Sequence, residues 1–204
     1  MRKSLKVIQS RLINYNLTQK QLEKMALYLG LLNDWNSRHN LTAILDEQQQ
    51  IEQHLADSLT LKHLIKGPQV IDVGSGAGLP GIPLAIVLPE VHFTLVDASQ
   101  KRIFFLQHVI HRLSLKNTTA IHARIEQYQP NEKPDQVVSR AVCTLANLWE
   151  WTKHLHHTDL EVLAMKGMLS SEETESVKSK ITQIIKSQHH QNKCIVVLGF
   201  ETSK

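Results

Sequence analysis

Val70-Ile71-Asp72-Val73-Gly74-Ser75-Gly76-Ala77-Gly78-Leu79-Pro80-Gly81 is a short β-rich run that breaks into a glycine-rich turn, and residues 83–87 after it read as a helix. Glycines permit positive φ and let a ligand approach the backbone where a side chain would block it. The free amides at the start of the following helix suit an anionic group. A glycine loop gains meaning from its place between a strand and a helix. Asp97 ends the next β-rich run, residues 92–97, and lies 97 − 76 = 21 residues beyond Gly76. Nucleotide-binding α/β folds place the acid that hydrogen-bonds a ribose diol at about this distance. The alternative is a turn aspartate that starts the next helix.

The loop narrows the choice of ligand. A phosphate-cradling loop of the GxxxxGK[ST] type is excluded because Ile82-Pro83 follows Gly81. The G-x-G-x-x-G spacing of dinucleotide binders appears only if Gly76, Gly78 and Gly81 are taken as the triplet, and Asp72 at the loop entrance is atypical of them. An entrance acid can bind an ammonium group or orient the loop. S-adenosylmethionine carries an ammonium, a ribose diol and an adenine without phosphate, and a loop framed by Asp72 and Asp97 suits it better than it suits a pyrophosphate.

Outward from the loop, residues 1–66 carry no strand signal. Leu5, Ile8 and Leu12, then Leu22, Met25, Leu29 and Leu32, recur at helical spacing. Thr18 and Gln21 form a capping-box pattern. A third helix is expected over residues 47–65, closed by Gly67-Pro68. Beyond it, strands at 70–73, 92–97, 118–122, 136–139 and 160–165 alternate with helices at 83–87, 101–113 and 145–155. A short helix from Ser171 and two strands near 181–185 and 194–198 follow, with a hairpin loop over 187–193. The expectation is an α/β fold with a mostly parallel sheet, helices on both faces and an N-terminal helical extension. Residues 1–66 form the extension and 67–204 the core, as one compact unit.

Composition excludes collagen-like, disordered and disulfide-scaffold classes: 42% of the 204 residues are hydrophobic and only two are cysteines. The apolar runs are too short to span a membrane, and no apolar signal core follows the basic start, Met1-Arg2-Lys3. A cytoplasmic protein with no membrane partner is expected. Lys plus Arg is 23 against 19 for Asp plus Glu, a net charge of +4; this fits plain solubility or a polyanionic partner such as RNA. The twelve histidines show no ligand spacing, so no metal is expected and they are read as mostly solvated.

Several stretches together resemble the bacterial small-subunit rRNA methyltransferase G family. They are Trp35-Asn36-Ser37-Arg38-His39-Asn40-Leu41-Thr42, His54-Leu55-Ala56-Asp57-Ser58, and the loop from Asp72 to Leu84. Lys101-Arg102, Arg124-Ile125-Glu126, Ser139-Arg140-Ala141 and Lys166-Gly167 continue the pattern in family order. His39 and Gln53 depart from it, where an aromatic and a basic residue are usual. The resemblance implies a Rossmann-like methyltransferase fold and an S-adenosylmethionine-dependent enzyme that methylates N7 of one guanine in 16S rRNA. It assigns Gly74, Leu79, Ile125, Glu126 and Arg140 to cofactor contact. The reading of the residues adds Gly76, Gly78 and Asp97.

Guanine N7 carries no proton, so no general base is expected and no catalytic acid or base is assigned. Arg38, Asn40, Lys101, Arg102, Arg124 and Lys166 are candidates for RNA contact; for the last four, a merely solvated charge is the alternative. Asn40 alternatively caps a turn, Glu126 alternatively marks a helix N-terminus, and Arg140 alternatively makes a structural ion pair. The small ribosomal subunit or an assembly intermediate is the expected partner, and a monomer is expected. Two other functions compete: a non-catalytic RNA-binding or assembly protein with a vestigial cofactor fold, and a nicotinamide-dependent oxidoreductase.

Overall fold

The computed structural model describes residues 2–186 and 192–200. Most of the hairpin loop expected over 187–193, with His189 and His190, lies outside the described residues. The helices are α1 (Arg2–Arg11), α2 (Gln19–His39), α3 (Glu47–Gln50), α4 (Asp57–Leu59), α5 (Gly81–Val87), α6 (Gln100–Leu113), α7 (Leu145–Trp151) and α8 (Ser171–Ser176). The strands are β1 (Gln69–Val73), β2 (His92–Asp97), β3 (Thr118–His122), β4 (Gln136–Arg140), β5 (Glu161–Lys166), β6 (Ile181–Lys186) and β7 (Cys194–Leu198).

One sheet runs in the order β3-β2-β1-β4-β5-β7-β6. β1 to β5 are parallel, and β7 pairs antiparallel with both β5 and β6. The expected mostly parallel α/β sheet, with helices on both faces and helices before it, is therefore what the chain forms. The strand order reverses between β1 and β4, and the loops leaving their carboxyl ends part there to open a crevice.

α2 shows why the local sequence folds as it does. Leu22, Met25, Tyr28, Leu29 and Leu32 lie on one buried stripe, and Thr18 with Gln21 closes a full capping box. Asn40 ends the helix in the left-handed region at φ 49. α5 differs in kind: all seven of its residues are buried. A short helix apolar on every side needs cover on every side, and α2 and α4 supply it opposite the sheet. Asn117 Nδ2 closes the helix end, donating to the carbonyls of Ala85, Leu88 and Val91 at 3.1, 3.1 and 2.9 Å. One apolar core thus runs from Ile8 and Met25 through Ile82 to Phe93 and Phe105, while Ile71, Val96, Leu148 and Val162 pack on the other face.

Three boundaries differ from the sequence expectation by more than one residue. α5 begins at Gly81, because Pro83 needs no amide partner in a first turn. The helix expected over 145–155 ends at Trp151 and continues as a 3-10 turn, Lys153–Leu155. The helix expected over 47–65 divides into α3, a π-helical stretch Ile51–Ala56, and α4. The wider turn keeps Ile51, Leu55 and Leu59 in the core while His54 and Asp57 are also buried, and such turns gather at functional sites. Among the described residues no helix is long and apolar enough to cross a membrane.

The shared core generates a stability prediction. Met25→Ala should cost about 2–5 kcal/mol although the side chain belongs to the N-terminal helices. Helix and sheet signals should be lost in one transition. Denaturant unfolding followed by far-ultraviolet dichroism and tryptophan fluorescence checks this; two separate transitions would contradict a single unit.

Candidate functional site

Two aspartates hold the glycine loop by its backbone. Asp72 Oδ2 accepts from the Gly81 amide at 2.9 Å, and Ser75 Oγ donates to the Asp72 carbonyl at 2.8 Å. Asp72 is fully buried, and among the described residues its Oδ1 has no hydrogen-bond partner. Burial raises its carboxyl to about 7, with the Gly81 amide and Arg140 opposing. The entrance acid therefore orients the loop. Asp97 Oδ2 accepts from the Gly76 amide at 2.8 Å and Oδ1 from the Ser99 amide at 2.8 Å. The Arg102 guanidinium lies 3.3 Å from Asp97 Oδ2. From below, the buried Tyr28 hydroxyl donates to the Ala77 carbonyl at 2.8 Å, and burial raises that phenol well above its usual range.

The glycines divide by task. Gly74, Gly76 and Gly78 all have positive φ. A Cβ on Gly74 would lie 2.5 Å from Val142 Cγ2, and one on Gly78 2.5 Å from Ile82 Cγ1, so both are packing positions. A Cβ on Gly76 would meet only the Gly74 carbonyl, at 3.8 Å, and would project into open space.

The loop after β4 forms the facing wall. Arg140 is half-buried, and its Nη1 donates to the Gln53 carbonyl of the π-helical turn at 2.8 Å. Ala141 sits at φ 53, unusual for a residue with a side chain. Lys166 Nζ braces this loop, donating to the Cys143 carbonyl at 2.8 Å and pairing with Glu173 Oε1 at 2.7 Å. The same Glu173 oxygen accepts from the Leu145 amide at 2.9 Å. Burial pushes the Cys143 thiol up to about 11, away from thiolate reactivity.

The N-terminal section supplies the third wall. Asn36 clamps Thr42 from both sides: its Nδ2 donates to the Thr42 carbonyl and its Oδ1 accepts the Thr42 amide, each at 2.9 Å. The turn between them passes through Asn40. Thr42 Oγ1 lies 3.0 Å from His54 Nε2. His54 is 3% exposed, so it is not one of the solvated histidines the sequence suggests. Burial and then Arg140 lower it to about 4, leaving the ring neutral at neutral pH.

These walls enclose a cavity of about 370 Å³ lined by Leu41, Thr42, Gly74, Gly76, Arg102 and Val142, among others. A second cavity of about 630 Å³ lies against it, and His54, Arg140 and Ala141 line both. The second carries Arg140, Lys166, Lys186 and Lys193 against one carboxylate, Asp57.

The expected site residues fall into groups. Gly74, Gly76, Leu79, Arg102 and Arg140 line the smaller cavity, and Lys166 lines the larger. Asp97 stands behind the loop, under Arg102. Gly78 is turned into the core. Ile125 is buried in the second core cluster and Glu126 is exposed, just beyond β3. Arg38, Asn40, Lys101 and Arg124 are exposed. Trp35 is half-buried against Phe105 and stacks on His108. Sequence reasoning did not assign roles to Tyr28, Thr42, His54 or Val142; for the first three the signal is membership of helix stripes and motif stretches rather than any spacing of their own. Among the described residues no three metal-ligating side chains stand together.

The open face of Gly76 generates the next prediction. Gly76→Ala should cost about 1–2 kcal/mol of stability, from a side chain held at positive φ. It should weaken S-adenosylhomocysteine, the expected cofactor's product, about tenfold or more. Calorimetry on the variant measures both; unaltered affinity would move the ligand off this face.

Comparison with known proteins gives the family and the fold. The family model described as rRNA small subunit methyltransferase G matches residues 21–197. The ribosomal RNA small subunit methyltransferase G of Salmonella arizonae is 42% identical over 168 residues, 82% of this chain and 81% of that protein. That of Aliivibrio fischeri is 39% identical over 191 residues, 90% and 91% of the two chains. Among solved structures, a SAM dependent methyltransferase from Aquifex aeolicus shares the fold, with a TM-score of 0.58 at 15% identity, over 74% of this chain and 92% of that one. The chain belongs to the rRNA small subunit methyltransferase G family.

Proposed function

We propose that this chain uses S-adenosylmethionine to methylate N7 of one guanine in 16S rRNA. It acts as a cytoplasmic monomer on the small ribosomal subunit or an assembly intermediate. The observation that carries this reading is the pair of cavities meeting at His54, Arg140 and Ala141. One is built on a glycine loop, the other is cationic.

The residues of the smaller cavity fit the cofactor. Gly76 leaves open the space a side chain would fill. The Arg140 guanidinium can hold a carboxylate. Asp97 stands where a ribose diol would be held, and Arg102, 48% exposed, lies over it, so contact there requires the guanidinium to turn aside. Ile125 and Glu126 follow β3, whose last residue pairs with Asp97; in this reading they take the adenine side of the cofactor. S-adenosylmethionine supplies an electrophilic methyl on a sulfonium.

The protein's own work is alignment. Guanine N7 presents an in-plane lone pair and no proton, so nothing need remove one. Holding two reactants in line can contribute about 7–11 kcal/mol. The rigid supports of Ala141 (the Lys166–Glu173 brace and the Arg140–Gln53 bond) keep the shared wall in place. Exposed Lys101 and Arg124 at the carboxyl edge would contact phosphates outside the cavities, with Arg38 and Asn40 on the N-terminal section. Against a vestigial cofactor fold stand the open face of Gly76 and the cavity it borders.

Two measurements follow. Mass-spectrometric mapping of 16S rRNA from a deletion strain should show one N7-methylguanosine missing; unchanged content would refute the reading. For RNA binding across a salt titration, Lys101→Ala should flatten the slope of log affinity against log salt by about 0.7–0.9 and leave cofactor affinity alone. Asp97→Ala should do the reverse. If Asp97→Ala alters the slope and Lys101→Ala does not, the two surfaces are exchanged.

A further inference from the structure

Of the His54-to-Ser58 stretch, only His54 lines the cofactor cavity. Asp57 is 8% exposed and faces the larger cavity. Its Oδ2 lies 2.5 Å from the ammonium of Lys193, which reaches it from 136 residues away, just before β7. The pair therefore sits on a cavity wall, beside the His54–Arg140–Ala141 wall shared with the cofactor cavity. Tyr15, Met165, Ile185 and Ile195 supply apolar faces around it, and the Tyr15 hydroxyl is anchored on the Ala56 carbonyl at 3.1 Å.

We propose that Asp57 and Lys193 are the base-reading pair, the carboxylate accepting from guanine N1–H and N2–H and the ammonium donating to O6. This rests on the reading of the chain as a guanine-N7 methyltransferase. A base that must react is turned out of its stack and read through hydrogen bonds to its pairing edge. In guanine, O6 is an acceptor and N1–H and the exocyclic amine are donors. Adenine reverses the order, with a donor at N6 and an acceptor at N1. A cation beside a carboxylate is complementary to the first and opposes the second at both atoms. The order also fits the transfer geometry. N7 and O6 share one edge of the purine, so with N7 turned to the shared wall, O6 and then N1 run on into the larger cavity. Burying the carboxylate of such a pair carries a desolvation cost that mutual attraction often only matches, while the Lys193 side chain stays 35% exposed. A cavity wall that needs this arrangement of donor and acceptor explains its position better than stability does.

The test exchanges the two charges. Asp57→Lys combined with Lys193→Asp restores an ion pair but inverts the pattern shown to the base. Substrate is small subunits from the deletion strain, with radiolabelled S-adenosylmethionine. The exchanged protein should bind S-adenosylhomocysteine as the wild type does and lose about 10- to 100-fold in kcat/KM. Methylation near the wild-type rate would overturn the proposal and leave the pair as a structural clip. Should the exchanged protein not fold, inhibition by GMP and AMP decides. The wild type should favour GMP by about 10- to 100-fold, and Asp57→Asn should erase that preference. No preference in the wild type, or its survival in Asp57→Asn, would overturn the proposal. A wild type that leaves rRNA guanine N7 unmethylated would instead overturn the underlying function, which separates the two failures.

Discussion

Everything at the carboxyl edge of this sheet depends on two carboxylates gripping one loop by its amides. Asp72 ends its hold on Gly81 and Asp97 on Gly76, at 2.9 and 2.8 Å. Because β1 and β2 are paired in parallel with Asp72 opposite Leu95, Asp97 lies two residues farther toward the carboxyl edge than Asp72. Fixing two amides nine and twenty-one residues away from their partners fixes the curvature of the loop between them. That curvature turns Gly78 into the core and presses Gly74 against Val142. Gly76 alone of the three is left facing open space. A fully buried carboxylate is costly, and the rise of Asp72 to about 7 expresses that cost. The compensation is a loop whose shape is set before any ligand arrives.

The same constraint passes to the N-terminal helices. Tyr28 reaches the loop from α2, and its hydroxyl satisfies the Ala77 carbonyl. α5 starts at the Gly81 amide that Asp72 holds, and it is buried between sheet and helices. Arg140 then ties the far side of the crevice to the π-helical turn through the Gln53 carbonyl. The helices preceding the sheet are therefore walls of the site as well as cover for the core.

How much of this is legible in sequence follows from the range of each interaction. The strands, the helix α2 with its capping box and the loop itself rest on periodicity and on neighbours a few residues apart, and these are readable. The four glycines look alike in sequence, yet their tasks differ, because the contacts that sort them come from Val142, Leu106 and Leu95 on other elements. Asn36 with Thr42 looks like part of a helix stripe, although its side chain closes a turn six residues on. The π-helical turn is invisible to a 3.6-residue period, which reads residues 47–65 as one helix. Lys166 reads as a surface cation, but its ammonium is enclosed by Glu173 and the Cys143 carbonyl. Pairs such as Asp57 with Lys193 have no local signature at all.

The shared wall also bears on why the site has no obvious acid or base. His54 is buried between the cavities, and desolvation and Arg140 hold it neutral. A neutral imidazole at that place could accept a proton, yet in the proposed reaction an attacking N7 has none to give. The Thr42 contact occupies Nε2 at 3.0 Å. Its value is then steric and electrostatic: a flat neutral group beside Arg140 that adds no second positive charge where one is about to develop on the purine. Protonating it would place two cations at the wall that a newly cationic base must face. The burial that suppresses its basicity is thus in keeping with the proposed chemistry.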